Sequence, residues 1–210
     1  MWAEYHRIIR AGIKKFGIKN WYDIKAGICH QVMPEKGHLI PGQLVLGCDS
    51  HTTTYGAFGV ASAGIGYTET AYVLATGKLW MRVPPTIKFI LSGDLAPRVM
   101  SKDIILYIAG KDSKEIAQYK DVEVTGPTAG KMSIASRMTM SNMGVEIGAK
   151  FAFFEADEKA INYLSKRTSK PVTPFKADDN AIFKQVIELD VSPLEPQVAL
   201  PQGVGKAKPI

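Results

Sequence analysis

The stretch Leu44-Val45-Leu46-Gly47-Cys48-Asp49-Ser50-His51-Thr52-Thr53-Thr54-Tyr55-Gly56 runs from an apolar triplet into a carboxylate, a hydroxyl and an imidazole on three consecutive residues. Further glycines follow at Gly59, Gly64 and Gly66. The triplet predicts a buried strand over 44–47, and a buried strand that ends in a polar, glycine-rich turn is a common place for an α/β active site. Asp49 can hold or transfer a proton, Ser50 can donate to a carboxylate oxygen, and His51 can do either near neutral pH. The same side chains also fit an Asx or Ser/Thr turn that only satisfies local backbone groups. Both readings stand at this level.

Upstream, Tyr5, Ile8, Ile9, Ile13 and Phe16 recur at helical spacing and predict an amphipathic helix over 3–17, stopped by Gly17. Residues 21–24 read as a short strand and 27–31 as a turn. Downstream, 68–78 predicts a helix capped by Thr68, with Glu69 in its first turn and Gly77 near its end. Pro84-Pro85 is the clearest break, because two prolines fit neither a helix interior nor a central strand. Beyond it, 86–92 alternates as a strand, with Ile87, Phe89 and Leu91 on one side and Lys88 opposite. Gly93-Asp94 turns it, and Ser101 is expected to cap a helix over 102–110. A second strand is predicted over 119–125, a helix over 133–143, an apolar run over 151–154 and a short helix over 157–165. From Pro171 onward the sequence is rich in proline and polar residues and predicts no regular element. Alternating strands and helices make the class α/β, with one unit over 1–83, a second over 84–197 and a tail over 198–210.

Composition narrows the function. Of 210 residues, 46% are apolar and 22% charged, the balance of an ordinary globular protein. No apolar run nears the roughly 20 residues that span a bilayer, and residues 1–7 lack the apolar core of a signal peptide. Cys29 and Cys48 form no disulfide framework, which points to a reducing, cytoplasmic setting. Two cysteines are also too few to hold an iron–sulfur cluster with cysteine ligands alone. The net charge of +6 favours small anions, but the basic residues lie in scattered pairs such as Lys14-Lys15 and Lys166-Arg167 rather than a stripe, so no nucleic acid is expected.

Taken in order, several motifs resemble the large subunits of the isopropylmalate dehydratase/homoaconitase branch of the aconitase superfamily. These are Gly27-Ile28-Cys29-His30-Gln31, Pro41-Gly42, Asp49-Ser50-His51-Thr52, Ala57-Phe58-Gly59, Gly64-Ile65-Gly66, Lys102-Asp103-Ile104-Ile105-Leu106 and the run from Arg137 to Lys150. The resemblance covers about residues 5–200. It implies the family's three-layer α/β/α architecture, with part of a first domain and most of a second. It implies a hydro-lyase that isomerises a 2-hydroxy di- or tricarboxylic acid, removing water and adding it back at the neighbouring carbon on a [4Fe–4S] cluster. It also implies a partner small subunit with a swivelling domain, and a place in leucine or lysine biosynthesis, with isopropylmalate or homocitrate favoured over citrate. By the same resemblance Asp49, His51, Glu146 and His30 are catalytic, His51 pairing with Glu146, while Ser50 and Asn142 bind substrate.

Each of these residues also has a plainer role. His30 alone fits a turn or core histidine, Glu146 a surface carboxylate, and Asn142 a cap or backbone bridge. Cys29 and Cys48 fit small buried apolar residues, Lys78 and Lys102 solvated ones, and His6 and His38 surface ones. The sequence departs from the family by lacking the Cys-x-x-Cys and Gly-Ser-Cys segments that hold the cluster. It also lacks an upstream Asp-His pair and the usual glycines in the 110–118 loop. It is therefore expected to be a central piece of a large subunit that binds no cluster, holds no metal and does not turn over alone. Two other readings compete. One is a non-catalytic partner module with the same fold. The other is a hydrolase built on Ser50, His51 and Asp49, which suffers because adjacent residues rarely converge on one atom and no Gly-x-Ser-x-Gly elbow is present.

Overall fold

The computed structural model of the chain describes residues 2–112 and 116–210. Helix α1 (Trp2–Phe16) forms as its periodicity predicts, yet it buries none of its residues. Residues 21–24 do not make a strand, and the expected turn over 27–31 is instead the start of helix α2 (Cys29–Glu35). Strand β1 (Leu44–Gly47) pairs in parallel with β2 (Ala61–Gly64). It is not buried as its apolar triplet implies, since Leu44 is exposed and the others are half-buried. The Ser50–Phe58 segment between the two strands is a buried 3-10 stretch. Helix α3 (Tyr67–Thr76) starts at Gly66 rather than at a Thr68 cap, and Gly77, at φ 68°, ends it.

Pro84 and Pro85 lead into β3 (Thr86–Ser92), the centre of a parallel sheet. Its neighbour β4 (Asp121–Thr125) pairs in turn with β5 (Phe151–Phe154), and β6 (Gln185–Asp190) covers the other side of β3. The order is β5-β4-β3-β6. Strand β6 lies in the stretch whose prolines predict no element. Its alternation is present, with Ile187 and Leu189 packed on the core, but shallow. Helix α4 (Ser101–Asp112) is not capped by Ser101. Asp103 reaches back from the third helical position to the Met100 N–H at 2.6 Å and accepts the Gln197 N–H at 2.8 Å with its other oxygen. Short α5 (Pro127–Lys131) and the longer α6 (Ile134–Met143, capped by Ser133) follow β4. Helix α7 (Glu158–Ser165), capped by Asp157, follows β5. Strands β7 (Gln197–Ala199) and β8 (Ala207–Pro209) form an antiparallel pair within the sequence read as a tail. Residues 113–115 of the glycine-poor loop lie outside the described residues.

The inward side of β3 and β4 (Ile87, Phe89, Leu91, Val122, Val124) packs on Ile104, Ile105 and Ile108 of α4 and Met140 of α6. Each such side chain contributes roughly 1.5–3 kcal/mol on burial. A second cluster joins Tyr55, Phe58 and Val60 to Ala160 and Leu164 of α7. Its contact is backbone-close: a Cβ on Gly56 would lie 1.8 Å from the Ala152 carbonyl oxygen of β5, so only glycine fits there. The segment that follows the Asp-Ser-His triplet is thereby clamped against the main sheet.

Asp121 opens β4 with a side chain only 7% exposed as a residue, and its Oδ1 has no hydrogen-bond partner. Burial pushes its carboxyl up to about 7, against the lowering pull of the Phe151 N–H and Lys150. The folded chain therefore holds this proton more tightly than the unfolded chain, so stability declines as pH climbs from about 4 to about 7 and stays low above that. Asp121→Asn is expected to raise unfolding free energy at pH 8 by roughly 2–4 kcal/mol and to flatten this decline. Urea unfolding at pH 5 and pH 8 tests it, and a substitution that is neutral at both would contradict it.

Candidate active site

The carboxyl end of β1 delivers Asp49 in an extended conformation, and its side chain caps the 3-10 segment by accepting the His51 N–H at 2.7 Å. Thr52 and Thr54 donate back to the Asp49 and His51 carbonyls, both at 2.6 Å. The turn is thus the Asx and Ser/Thr arrangement that the sequence allows. It is also more than that, because the same Asp49 Oδ1 lies 3.1 Å from Nε2 of His30 at the start of α2. One carboxylate oxygen fixes the turn and orients an imidazole.

A second pair crosses the molecule. Nε2 of His51 lies 3.3 Å from Oε1 of Glu146, although the two are 95 positions apart. Glu146 sits in a 3-10 turn (Gly144–Ile147) between α6 and β5, which Gly148 closes at φ 87°. A carboxylate only accepts, so this contact places a proton on His51 Nε2. His51 Nδ1 then faces Ser50 Oγ at 3.0 Å. Asp49 Oδ1 stands 3.9 Å from that same nitrogen, so Ser50 and Asp49 approach one side of the ring and no Asp-His-Ser line forms. The side chains of Asp49, Glu146 and His51 are 49%, 39% and 32% exposed, which leaves them open to a ligand, while His30 at 13% is held more deeply.

Behind the pairs lies a supporting layer that brings Thr54 and Tyr55, which the sequence reading did not single out, to Asn142 and Cys29. Asn142 Nδ2 donates to Thr54 Oγ1 at 2.9 Å, so the Asn142 amide bridges to the same 3-10 segment. The buried Tyr55 hydroxyl hydrogen-bonds with Cys29, and burial, followed by Cys29 and Asp49, pushes the phenol up so that it stays protonated. The run of threonines beside Tyr55 was the available signal. Cys29 and Cys48 are exposed rather than buried. Cys29 Sγ lies 3.7 Å from His30 Nδ1, and Cys48 donates to Thr70 Oγ1 at 3.1 Å. His6 and His38 are half-buried rather than superficial, and His38 pairs with the Tyr22 hydroxyl. Among the described residues no group of three or more His, Cys, Asp and Glu is arranged to hold a metal ion. Two open cavities are lined by residues that adjoin these contacts. One, of about 430 Å³, is lined by His30, Thr54 and Asn142, and another, of about 290 Å³, by Ser50 and Lys150.

Two histidine–carboxylate pairs, a serine beside one ring and open cavities stand at the end of a parallel strand in an α/β protein. The chain belongs to the aconitase family: the family model, described as aconitate hydratase, matches residues 3–210. It is 48% identical over 208 residues to the probable 3-isopropylmalate dehydratase large subunit of Methanothermobacter thermautotrophicus, covering 99% of this chain and 50% of that protein. It is 42% identical over 208 residues to the 3-isopropylmalate dehydratase large subunit of Aquifex aeolicus, covering 99% of the chain and 48% of the relative. It is 41% identical over 208 residues to the probable methanogen homoaconitase large subunit of Methanosarcina mazei, covering 99% and 53%. The chain spans about half the length of the curated relatives it matches. No described helix is long and apolar enough to cross a membrane.

Proposed function

We propose that the chain is part of the large subunit of a cytoplasmic hydro-lyase that isomerises a 2-hydroxy di- or tricarboxylic acid, isopropylmalate or homocitrate, by dehydration and rehydration. The observation that carries this is the His51–Glu146 contact at 3.3 Å beside the His30–Asp49 contact at 3.1 Å. Dehydration needs a proton delivered to a departing hydroxyl and another removed from carbon, and two oriented imidazoles can shuttle protons near neutral pH. Glu146 keeps a proton on His51 Nε2, and Nδ1 takes up a second during the reaction. In that state Nδ1 donates to Ser50 Oγ, which frees the serine hydroxyl to donate to a substrate carboxylate. Asp49 does the same orienting work for His30, and Asn142 positions its amide at the cavity through Thr54.

The family's [4Fe–4S] cluster does not fit the residues described here. The two cysteines are engaged with His30 and Thr70, and no third soft ligand joins them. We assign the cluster to the half of the relatives' sequence that this chain does not cover, and the small subunit to the partner that completes the site. The test supplies the chain with that missing half and with a small subunit, and follows ultraviolet absorbance of the unsaturated acid. Turnover by the assembly and none by the chain alone is the expected result. Turnover by the chain alone would overturn the assignment of the cluster, and an inert assembly would favour a non-catalytic partner module.

A further inference from the structure

We propose that Lys102 binds a substrate carboxylate in the cavity that His30 and Asn142 line, an inference that rests on the proposed acid–base site. The approximately 430 Å³ cavity lies where the first turn of α4 meets the outer side of α6 and the start of α2, and Lys102 is the one lysine or arginine among its lining residues. The volume suits a small acid of a dozen or so heavy atoms, and the rest of the lining combines apolar Ile134 and Met138 with polar Thr54, Thr139 and Asn142.

The lining of this cavity includes Lys102 and the His30 ring but no carboxylate, and the carboxylate nearest in the contacts is Asp49, 3.1 Å from His30 Nε2. A di- or tricarboxylate entering it therefore finds its full counter-charge at Lys102. Lys102 is exposed and carries no hydrogen bond or ion pair among the described residues. No ion pair joins it to its neighbour Asp103, whose oxygens are turned to the Met100 and Gln197 amides. Helix stability does not account for a lysine in this first turn either, since the helix dipole disfavours a cation at that end. The other lysine near the site, Lys150, lines the separate Ser50 cavity and acts on Asp121. A carboxylate in the first cavity would thus have the Lys102 ammonium, the Asn142 amide and the His30 ring among its lining groups.

The test is calorimetric titration of the chain with tricarballylate, a tricarboxylate without the reactive hydroxyl. Lys102→Met is expected to weaken binding by about tenfold or more and Lys102→Arg to retain it. Lys208→Met, which removes one charge at the opposite end of α4, should leave affinity within about twofold. A Lys102→Met chain that binds as tightly as wild type overturns the assignment while leaving the proposed reaction standing. Wild-type chain that takes up no tricarballylate also overturns it, whereas the reaction itself is judged separately by turnover of the assembled enzyme. Unchanged circular dichroism of the variants excludes unfolding as the cause, since the Lys102 side chain is exposed and packs no core.

Discussion

Replacing Asp157 with alanine is expected to cost about 3–5 kcal/mol of stability, the largest loss that one side chain near the site should produce. Arg137, only 2% exposed, donates Nη1 to Asp157 Oδ1 at 2.8 Å and Nη2 to Oδ2 at 2.5 Å, and its guanidinium also lies over the Phe154 ring. Without Asp157 a buried cation whose Nε already lacks a partner would stand unpaired. The same carboxylate caps α7 through the Lys159 and Ala160 amides, which adds about 1 kcal/mol. Burial works to raise this carboxyl, but Arg137 and the two amides outweigh it and hold it below the usual range. The contribution is therefore present at neutral pH and lost as pH falls through the lowered folded value. Urea unfolding at pH 7 measures the loss, and a deficit under about 1 kcal/mol would contradict the account. Arg137→Met combined with Asp157→Ala should recover part of it, because the stranded charge is gone. Damage should also reach the site, since Ala160 and Leu164 of α7 share a cluster with Phe58 of the segment that carries His51.

The parts of the fold legible in sequence were those where burial is one-sided. The alternation of Ile87, Phe89 and Leu91 against Lys88 specifies a sheet facing a core on one side, and the helical spacing over 3–17 specifies a helix whatever covers it. What failed was burial itself. The apolar 44–46 triplet sits on a two-stranded sheet with little over it, Cys29 is exposed at the start of α2 and Cys48 on a bend, so residue type alone misplaced all three. Strand β6 was missed for the opposite reason: its inward residues Ile187 and Leu189 are only half-buried and its flanks are irregular. In the site, Asp49, Ser50 and His51 announce themselves by adjacency. The partners of these residues do not, because His30 stands 19 positions and Glu146 95 positions away, and nothing local ties them. Only the ordered family motifs pointed to the His51–Glu146 pair. The Thr54–Asn142 and Tyr55–Cys29 contacts had no such guide, since threonine and tyrosine in a glycine-flanked run fit backbone capping equally well.

Glu146→Gln, placed in the assembled enzyme, is expected to lower kcat/KM by roughly 100- to 1000-fold, and His51→Gln by a similar factor. The glutamine keeps the shape of the 3-10 turn and can still accept from His51 Nε2 at the present 3.3 Å separation. What it removes is the negative charge beside a ring that carries a second proton during the reaction. A neutral His51 must accept from Ser50 at Nδ1, and the serine then has no proton to offer a substrate carboxylate. The two losses are thus one event, and their combination is informative. If His51 and Glu146 act as a unit, the double variant should be no slower than the slower single variant. If instead the two losses multiply, the pair is not the working element and the contact is only structural. Ser50→Ala, lying downstream in the same chain of contacts, should raise KM more than it lowers kcat, because it removes a carboxylate donor without touching the Glu146–His51 contact. None of these substitutions should move the unfolding midpoint beyond what about 0.5 kcal/mol would do, since all three side chains are partly open to solvent rather than packed in either core cluster. A variant that loses activity and stability together would point to the turn, not the proton relay, as what Glu146 supports.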